Sequence, residues 1–278
     1  MNTLRMRRRH LPALTAALAT AGRAGARGGV PLRMALAPFL SPAALLATFR
    51  PLREHLEARL QRPVEMFTAR DFRALAEATR RGEHEVAQMP AHLARLAMVD
   101  WGWRLLAAPE RTVTVEVVVR DGGPVRTPAD LRGRRVGLLD PLSLTATVGR
   151  RWLQGQGLDA DVTVIVQPSV NSALYALDRG EIAALVCADS QRAGLPPATP
   201  QSAVVLARIG GIPGPTYIAR PDLPAAELEA LLAALRSFQP DPARPFTAAN
   251  SRLRPLAPDE LARLDDHVAL ARAALAAR

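Results

Sequence analysis

Hydroxyl side chains cluster at one predicted helix start in the middle of the chain. The segment reads Asp140-Pro-Leu-Ser143-Leu-Thr145-Ala-Thr147 and follows a short apolar run, which predicts a strand, a loop and then a helix. The first turn of a helix leaves backbone N–H groups unpaired and carries about half a positive charge. Serine and threonine add O–H donors there, and this combination suits an oxyanion. We therefore predict ligand binding by Ser143, Leu144, Thr145 and Thr147.

The same residues also have a purely structural explanation. Ser143 is a favourable N-cap for any helix, and capping is compatible with anion contact. Thr145 and Thr147 would lie in the first turn, where threonine is a mediocre helix former. Asp140 is expected to fix the loop, because a carboxylate beside an oxyanion would repel it.

Polar residues follow two further strands of the same region. Ser169 and Asn171 come after a predicted strand at 162–166, and either could cap the next helix or contact a ligand. Asp189 follows the apolar strand 182–187. Because parallel strands end at a common edge of a sheet, we include all three residues among the candidate ligand contacts.

Three candidates lie nearer the N-terminus. Phe39 follows the first predicted strand, and Gln88 and His92 flank a predicted helix start. Two interpretations of His92 stay open: a surface or satisfied core histidine, or an imidazolium that would suit an anion.

Composition and charge indicate a globular chain with no nucleic-acid partner. Of the 278 residues, 49% are apolar and 22% are charged, so a packed core is expected. The formal charge is +10, and every basic residue is an arginine. Five arginines lie in the first 26 residues, and without them 31 arginines face 26 acids, a net charge of +5. The remaining arginines alternate with acids along predicted helices, which is typical of a solvated surface.

The residue types that catalysis or metal binding would need are sparse. Cys187, at the end of an apolar strand, is the single cysteine and is expected to be a buried structural thiol. The five histidines lack the spacing of metal ligands. Since no nucleophile is paired with a base, we expect no enzyme, no cofactor and no metal site.

The N-terminus has the layout of a secretory signal peptide. Residues 1–10 are basic, residues 11–21 form a short apolar run, and small-residue patterns follow at 19–21 and 24–26. We predict a signal peptide over 1–26. Two export routes stay open, the Sec route and the twin-arginine route. No cysteine that could accept a lipid anchor follows the predicted signal. The mature chain is expected to be soluble, because no second segment approaches 18 uninterrupted apolar residues.

Strands and helices alternate along the rest of the chain. The order β-α-β-α-β-α over residues 32–97 indicates a parallel sheet covered by helices, and the scheme repeats after the β-branched run 113–119. Two α/β units joined by two extended crossovers describe a bilobal binding protein, in which ligands bind at the strand ends. The predicted lobes are 31–111 plus 210–278, and 112–209 with the hinge strands.

Several short motifs, each different from the others, follow one another over most of the mature chain. They are residues 32–38 with Ser41-Pro42, Arg62-Pro63-Val64, Leu131-Arg-Gly-Arg-Arg-Val136, Asp140-Pro141-Leu-Ser143, Ala173-Leu174 to Gly180, Ile212-Pro-Gly-Pro, and Arg220-Pro-Asp-Leu-Pro224. In this combination the chain resembles the phosphonate/phosphate-type periplasmic substrate-binding proteins of ABC transporters. The resemblance implies a two-lobed type II α/β fold, each lobe a mostly parallel sheet with flanking helices. It also implies capture of a small oxyanion or organophosphorus compound (phosphonate, phosphate or phosphite-like) for a membrane permease.

The chain departs from the family pattern at the proposed site. The family loop after Asp-Pro usually has three hydroxyls in a row, and Leu144 replaces one of them. Losing a hydrogen bond to a charged ligand costs about 1.5–3 kcal/mol, unless the leucine contacts an apolar ligand group. Phe39 lacks the phenolic OH of the usual aromatic residue, and Asn171 stands where a histidine is common. In relatives an acid near Asp189 can face a ligand amine.

These observations predict a periplasmic, monomeric solute-binding protein that acts with an ABC-transporter permease. Two other classes stay open: a sensor or interaction protein that signals to a membrane partner with the same fold, and an enzyme on that fold. The missing helix-turn-helix segment argues against a transcription regulator.

Overall fold

A computed structural model describes residues 29–193, 198–200, 202–243 and 250–277, so the predicted signal peptide lies outside the described residues. The strands within these ranges are β1 (Leu32–Leu36), β2 (Val64–Thr68), β3 (Val86–Met89), β4 (Arg104–Pro109), β5 (Val113–Arg120), β6 (Arg135–Leu138), β7 (Thr163–Val166), β8 (Ala184–Ala188), β9 (Ala203–Ile212), β10 (Thr216–Ala219) and β11 (Leu253–Arg254). The α-helices are α1 (Pro42–Leu60), α2 (Phe72–Arg80), α3 (Ala91–Trp101), α4 (Leu144–Gly155), α5 (Val170–Asp178), α6 (Asp189–Ala193), α7 (Ala225–Ser237) and α8 (Pro258–Ala276).

The strands form two separate sheets, as the predicted fold class requires. The first has six strands in the order β11-β4-β10-β3-β1-β2, and the second has five in the order β7-β6-β8-β5-β9. We call the six-stranded sheet with α1–α3 and α7 the first lobe, and the five-stranded sheet with α4–α6 the second lobe. The chain passes between them twice, from β4 to β5 and from β9 to β10.

Both sheets are mixed, and the crossover strands are the reason. β1 pairs in parallel with β2 and β3, and β6 pairs in parallel with β7 and β8. The first strand after each crossover runs the other way: β10 is antiparallel to β3 and β4, and β5 is antiparallel to β8 and β9. The β-branched run 113–119 therefore lies inside the second sheet, between β8 and β9.

One local prediction was wrong. The sequence pattern predicts a helix from Pro128, but the structure has a single 3₁₀ turn, Pro128–Leu131, and the chain turns at Gly133 with a φ of 70°. Strand β4 was not predicted, because the leucines and alanines that form most of it are not typical strand residues. Four of its six residues are fully buried, which is the pattern of an interior strand and not of a half-exposed one.

Helix α8 packs against both lobes. Val268 and Ala271 join an apolar cluster of the first lobe with Leu93, whereas Leu264 joins the main cluster of the second lobe with Val148. The last helix therefore connects the two cores. No helix among the described residues has the length and apolarity that crossing a bilayer demands.

Candidate functional site

The site begins where β6 ends and the chain turns into α4. The carboxylate of Asp140 accepts a hydrogen bond from the backbone N–H of Leu142 at 2.8 Å. The backbone carbonyl of Asp140 accepts one from the backbone N–H of Ser143, also at 2.8 Å. Asp140 therefore stabilises the turn that leads from β6 to α4.

Ser143 is the N-cap of α4, as predicted. Its Oγ accepts a hydrogen bond from the backbone N–H of Ala146 at 3.2 Å and lies 3.2 Å from Oγ1 of Thr145. Both side chains are buried, with exposed fractions of 8% and 6%. The cap thus places two hydroxyls side by side at the positive end of the helix.

Thr147 extends this hydroxyl cluster across the lobe boundary. Its hydroxyl donates to the carbonyl of Ser143 at 3.0 Å and lies 3.2 Å from Nε2 of His92, at the start of α3. Which of the two groups donates in this contact depends on the tautomer of the His92 ring. One hydrogen bond therefore connects the first lobe to the second at this site.

His92 is a neutral core residue. Its side chain is fully buried, and desolvation, with a smaller contribution from nearby His267, lowers its pKa to about 3. Burial therefore favours the core-histidine interpretation over the imidazolium one, because an apolar site disfavours the charged ring. Its Nδ1 has no hydrogen-bond partner among the described residues.

Two leucines of the α4 loop contact the apolar clusters. Leu144, 9% exposed, belongs to the second-lobe cluster that also includes Ala91 of the first lobe. Leu142 belongs to the first-lobe cluster, with Leu93 and Val268. Sequence reasoning missed Leu142, although an apolar residue between a proline and an N-cap was a signal for burial. The loop is thus held between the lobes by packing as well as by hydrogen bonds.

Gln88 lies at the end of β3, on the first-lobe side. Its side-chain oxygen accepts a hydrogen bond from the backbone N–H of Ala37, at the end of β1, at 3.1 Å. Its amide nitrogen is buried and has no partner among the described residues, and neither does the hydroxyl of Tyr217, directly opposite on β10. Burial raises the pKa of Tyr217, so it keeps its proton. Tyr217 was missed, and its position two residues after the Pro213-Gly-Pro215 turn was the available signal.

Phe39 follows β1 and leads to α1. It is 39% exposed, and its ring centroid lies 6.2 Å from that of Phe49 in the first-lobe core. The ring therefore packs partly on the core and is partly exposed.

Ser169, Asn171 and Asp189 follow the strands on either side of β6, so they lie along the same edge of the sheet. All three are exposed and make local hydrogen bonds. Ser169 caps α5, Asn171 accepts from the Thr199 hydroxyl at 2.9 Å, and Asp189 accepts from the next backbone N–H. The structure brings Ser143, Thr145, Thr147 and His92 into one hydrogen-bonded cluster. No described hydrogen bond connects the three edge residues to it.

A buried ion-pair network near the end of β8 was not predicted. The Glu116 carboxylate, 4% exposed, accepts from Arg192 at 2.6 Å and from Arg208 at 3.1 Å. The signal for it was a lone glutamate in the β-branched run 113–119. Glu116 lies opposite Cys187 in the sheet, and that thiol is buried with its pKa raised to about 12 by desolvation. Cys187 is therefore a protonated core residue, as predicted.

The start of α4 carries hydroxyl and backbone N–H groups that can donate hydrogen bonds. The carboxylate of Asp140 accepts from the backbone N–H of Leu142 in the preceding turn. No described hydrogen bond joins a carboxylate to the hydroxyl groups of the cluster. Among the described residues, no group of three histidine, cysteine or acidic side chains is placed to hold a metal ion. The donor set can hold a small anion by hydrogen bonds.

Solved structures share this architecture at low sequence identity. XAC2383 from Xanthomonas citri, bound to chloride, superposes with a TM-score of 0.74 at 18% identity, covering 87% of this chain and 98% of that one. PhnD1 from Prochlorococcus marinus, in complex with methylphosphonate, gives a TM-score of 0.71 at 10% identity, covering 85% and 96%. A binding component of an ABC phosphonate transporter from Pseudomonas aeruginosa gives 0.66 at 14% identity, covering 88% and 94%. These likenesses establish the two-lobed type II periplasmic-binding-protein fold.

The family comparison is independent of these structures. No curated protein matches the chain. Residues 34–258 match the family described as the phosphonate periplasmic substrate-binding protein of ABC transporters. The match spans both sheets and the hydroxyl cluster between them, and the chain belongs to this family of periplasmic substrate-binding proteins.

Proposed function

We propose that this protein captures a small oxyanion, of the phosphonate, phosphate or phosphite type, between its two lobes and delivers it to an ABC-transporter permease. The observation that carries the proposal is the hydrogen-bonded cluster of three hydroxyls at the start of α4, joined to His92 of the other lobe. Helix starts with added hydroxyl donors favour negative charge.

The proposed contacts fall into two groups. The hydroxyl cluster and Leu144 form the second-lobe side, and Gln88, His92 and Phe39 form the first-lobe side. Ser169, Asn171 and Asp189 would contact the part of a larger ligand that extends along the sheet edge. Neutral His92 acts as a hydrogen-bonding group and not as a counter-charge.

We further propose that residues 1–26 are an export signal, and that 31–111 with 210–278 and 112–209 move as the two lobes. The mature chain is then a periplasmic monomer without catalytic activity. The buried, protonated Cys187 supports the absence of a thiol nucleophile.

A thermal-shift panel on mature protein tests the ligand class. Phosphate, phosphite, methylphosphonate, an alkanesulfonate and acetate are compared at equal ionic strength. An oxyanion present at 100 times its dissociation constant should stabilise the fold by about 2.7 kcal/mol. The control is Asp71→Ala, which removes the cap of a helix outside the hydroxyl cluster. A flat response of the parent protein across the panel, repeated by calorimetry, would overturn the oxyanion proposal.

A further inference from the structure

Helix α8 is anchored to the first lobe along its length. Near its start, the carboxylate of Glu260 accepts hydrogen bonds from the guanidinium of Arg254 on β11 at 2.6 and 2.7 Å. In its middle, Asp265 pairs with Arg95 of α3 at 2.6 Å. At its end, backbone carbonyls accept hydrogen bonds from Arg73 of α2 at 2.6 to 2.8 Å. Because these partners belong to the first-lobe sheet or to its helices, α8 moves with that lobe.

The first half of α8 nevertheless reaches into the second lobe. Leu264 is 1% exposed and belongs to the second-lobe apolar cluster together with Val148 of α4, and Leu261 packs against that cluster. Just beyond Leu264, the carboxylate of Asp266 pairs with Arg151 of α4 at 3.1 Å. A helix of one lobe is therefore held against a helix of the other.

The helix that α8 contacts is also the helix that carries the hydroxyl cluster. Near the start of α4, Thr147 lies 3.2 Å from Nε2 of His92 on α3. Val148 and Arg151 follow along α4 and contact α8. Since α3 and α8 both belong to the first lobe, a rotation that opens the lobes on this side of the hinge separates α4 from both of them.

Apolar packing is the main part of the contact between α4 and α8. Val148 is 2% exposed and Leu264 is 1% exposed, so pulling the helices apart exposes two almost fully buried side chains to water. Exposing apolar surface is unfavourable, and this opposes opening. The ion pair adds less, because the side chains of Arg151 and Asp266 are 52% and 65% exposed. Leu264 is therefore the residue whose loss should free the lobes.

We propose that α8 is a strap that holds α4 against the first lobe before any ligand binds, with Leu264 as its positioning residue. A bound anion then does not have to supply the free energy of bringing the lobes together. The apparent dissociation constant is the intrinsic constant divided by the fraction of protein in the competent arrangement. This effect on affinity rests on the proposed function, whereas the strap itself acts without a ligand.

Distances between two spin labels test the strap in ligand-free protein. The labels are attached to Val99→Cys on α3 and Gln154→Cys on α4, two exposed positions in different lobes, and the native Cys187 is buried. Pulsed electron paramagnetic resonance should give a single distance for the otherwise unchanged protein, with or without methylphosphonate. Ligand-free Leu264→Ala should show a second, longer distance. Leu264→Met keeps the apolar volume and should restore the single distance.

The matched control is Leu270→Ala, which truncates a half-buried leucine of the same helix. Its distance should equal that of the protein with both labels and no further change. Leu264→Val is a smaller truncation, and it provides a folded variant if Leu264→Ala does not fold. Methylphosphonate should bind Leu264→Ala more weakly, by the same factor by which the population at the shorter distance falls.

The strap is overturned if the folded Leu264 variants keep the single distance, or if Leu270→Ala opens the lobes as much as Leu264→Ala. It is also overturned if the longer distance is already the main population of the ligand-free protein that carries only the labels. Failure of methylphosphonate to bind that protein would contradict the proposed function instead, and the ligand-free distances would still decide whether the strap exists.

Discussion

At the scale of single residues, Leu144 is the departure from the expected family pattern that bears most directly on affinity for an oxyanion. It stands in the first turn of α4 between two hydroxyl residues, Ser143 and Thr145. We predict that Leu144→Thr strengthens methylphosphonate binding about tenfold, because one charge-assisted hydrogen bond contributes about 1.5 kcal/mol or more. Calorimetry measures the dissociation constant directly.

The matched control for that change is Leu144→Val. Valine and threonine have nearly the same shape, so they differ only in the hydroxyl. Both variants shorten a buried side chain, and threonine also buries a hydroxyl, so urea unfolding is measured beside affinity for each. Equal affinities of the two variants would show that the hydroxyl at this position makes no contact with the ligand.

His92 gives a residue-scale prediction about pH. Burial lowers its pKa from 6.5 to about 3, so the unfolded chain binds the proton more readily than the folded one. The stability that results is present above pH 6.5 and is lost as the pH falls toward 3. Between pH 7 and pH 5 this group should cost about 2 kcal/mol of unfolding free energy. His92→Gln should flatten that part of the profile in urea titrations.

Two other titratable groups, His84 and Glu260, also contribute to the pH dependence of stability. His84, with a pKa lowered to about 4 by burial, adds a slope of the same sign that remains in the variant. Glu260 has a pKa lowered to about 2, chiefly by its hydrogen bond with Arg254, so its stabilisation is lost only below pH 4.5. Thr147→Val removes the hydrogen-bond partner of His92 but keeps the titrating ring. The pH dependence of its unfolding free energy should therefore match that of the parent protein. An unchanged slope in His92→Gln would contradict the assigned burial.

At the scale of elements, the start of α4 has two functions that substitution can separate. Ser143→Ala should cost about 1 kcal/mol of stability through the lost cap and also weaken the oxyanion. Ser143→Asp keeps a cap and should keep the stability, yet its carboxylate should repel an anion and abolish binding. Urea unfolding and calorimetry on the same samples separate the two effects.

Asp71→Ala is the matched control for capping. Asp71 caps α2 through the backbone N–H of Ala74 at 2.7 Å. Its loss should cost about the same stability and leave oxyanion affinity unchanged. Normal oxyanion binding by Ser143→Asp would show that the anion is held away from this helix start.

Elements with a periodic pattern or a cap were predictable from the sequence. A serine or aspartate before an apolar-periodic run predicts helix starts at Ser41-Pro42, Asp71 and Ser143, and the structure confirms all three. Strand β4 was not, because it is built mainly from leucine and alanine and lacks the β-branched residues typical of strands. The contact between His92 and Thr147 could not be predicted either, since 55 residues separate them and no local pattern encodes the docking of two lobes.

At the scale of the whole molecule, α8 stabilises the arrangement of the lobes. Leu264 packs in the second lobe one turn from Val268, which packs in the first. We predict that Leu264→Ala costs about 2–5 kcal/mol, since it opens a cavity at the junction. Leu270→Ala, at a half-buried position of the same helix, should cost about 1 kcal/mol or less. Denaturant unfolding measures both, and equal losses would contradict the linking role of α8.

The central claim is that the hydroxyl cluster between the lobes holds a small oxyanion. The most direct measurement is calorimetric titration of the best oxyanion from the panel into the parent protein and into the double variant Ser143→Ala with Thr145→Ala. We predict 1:1 binding by the parent, and affinity at least a hundredfold weaker in the variant, because two hydrogen bonds to a charged ligand are lost. Unchanged affinity in a folded double variant would contradict the claim and place the anion elsewhere.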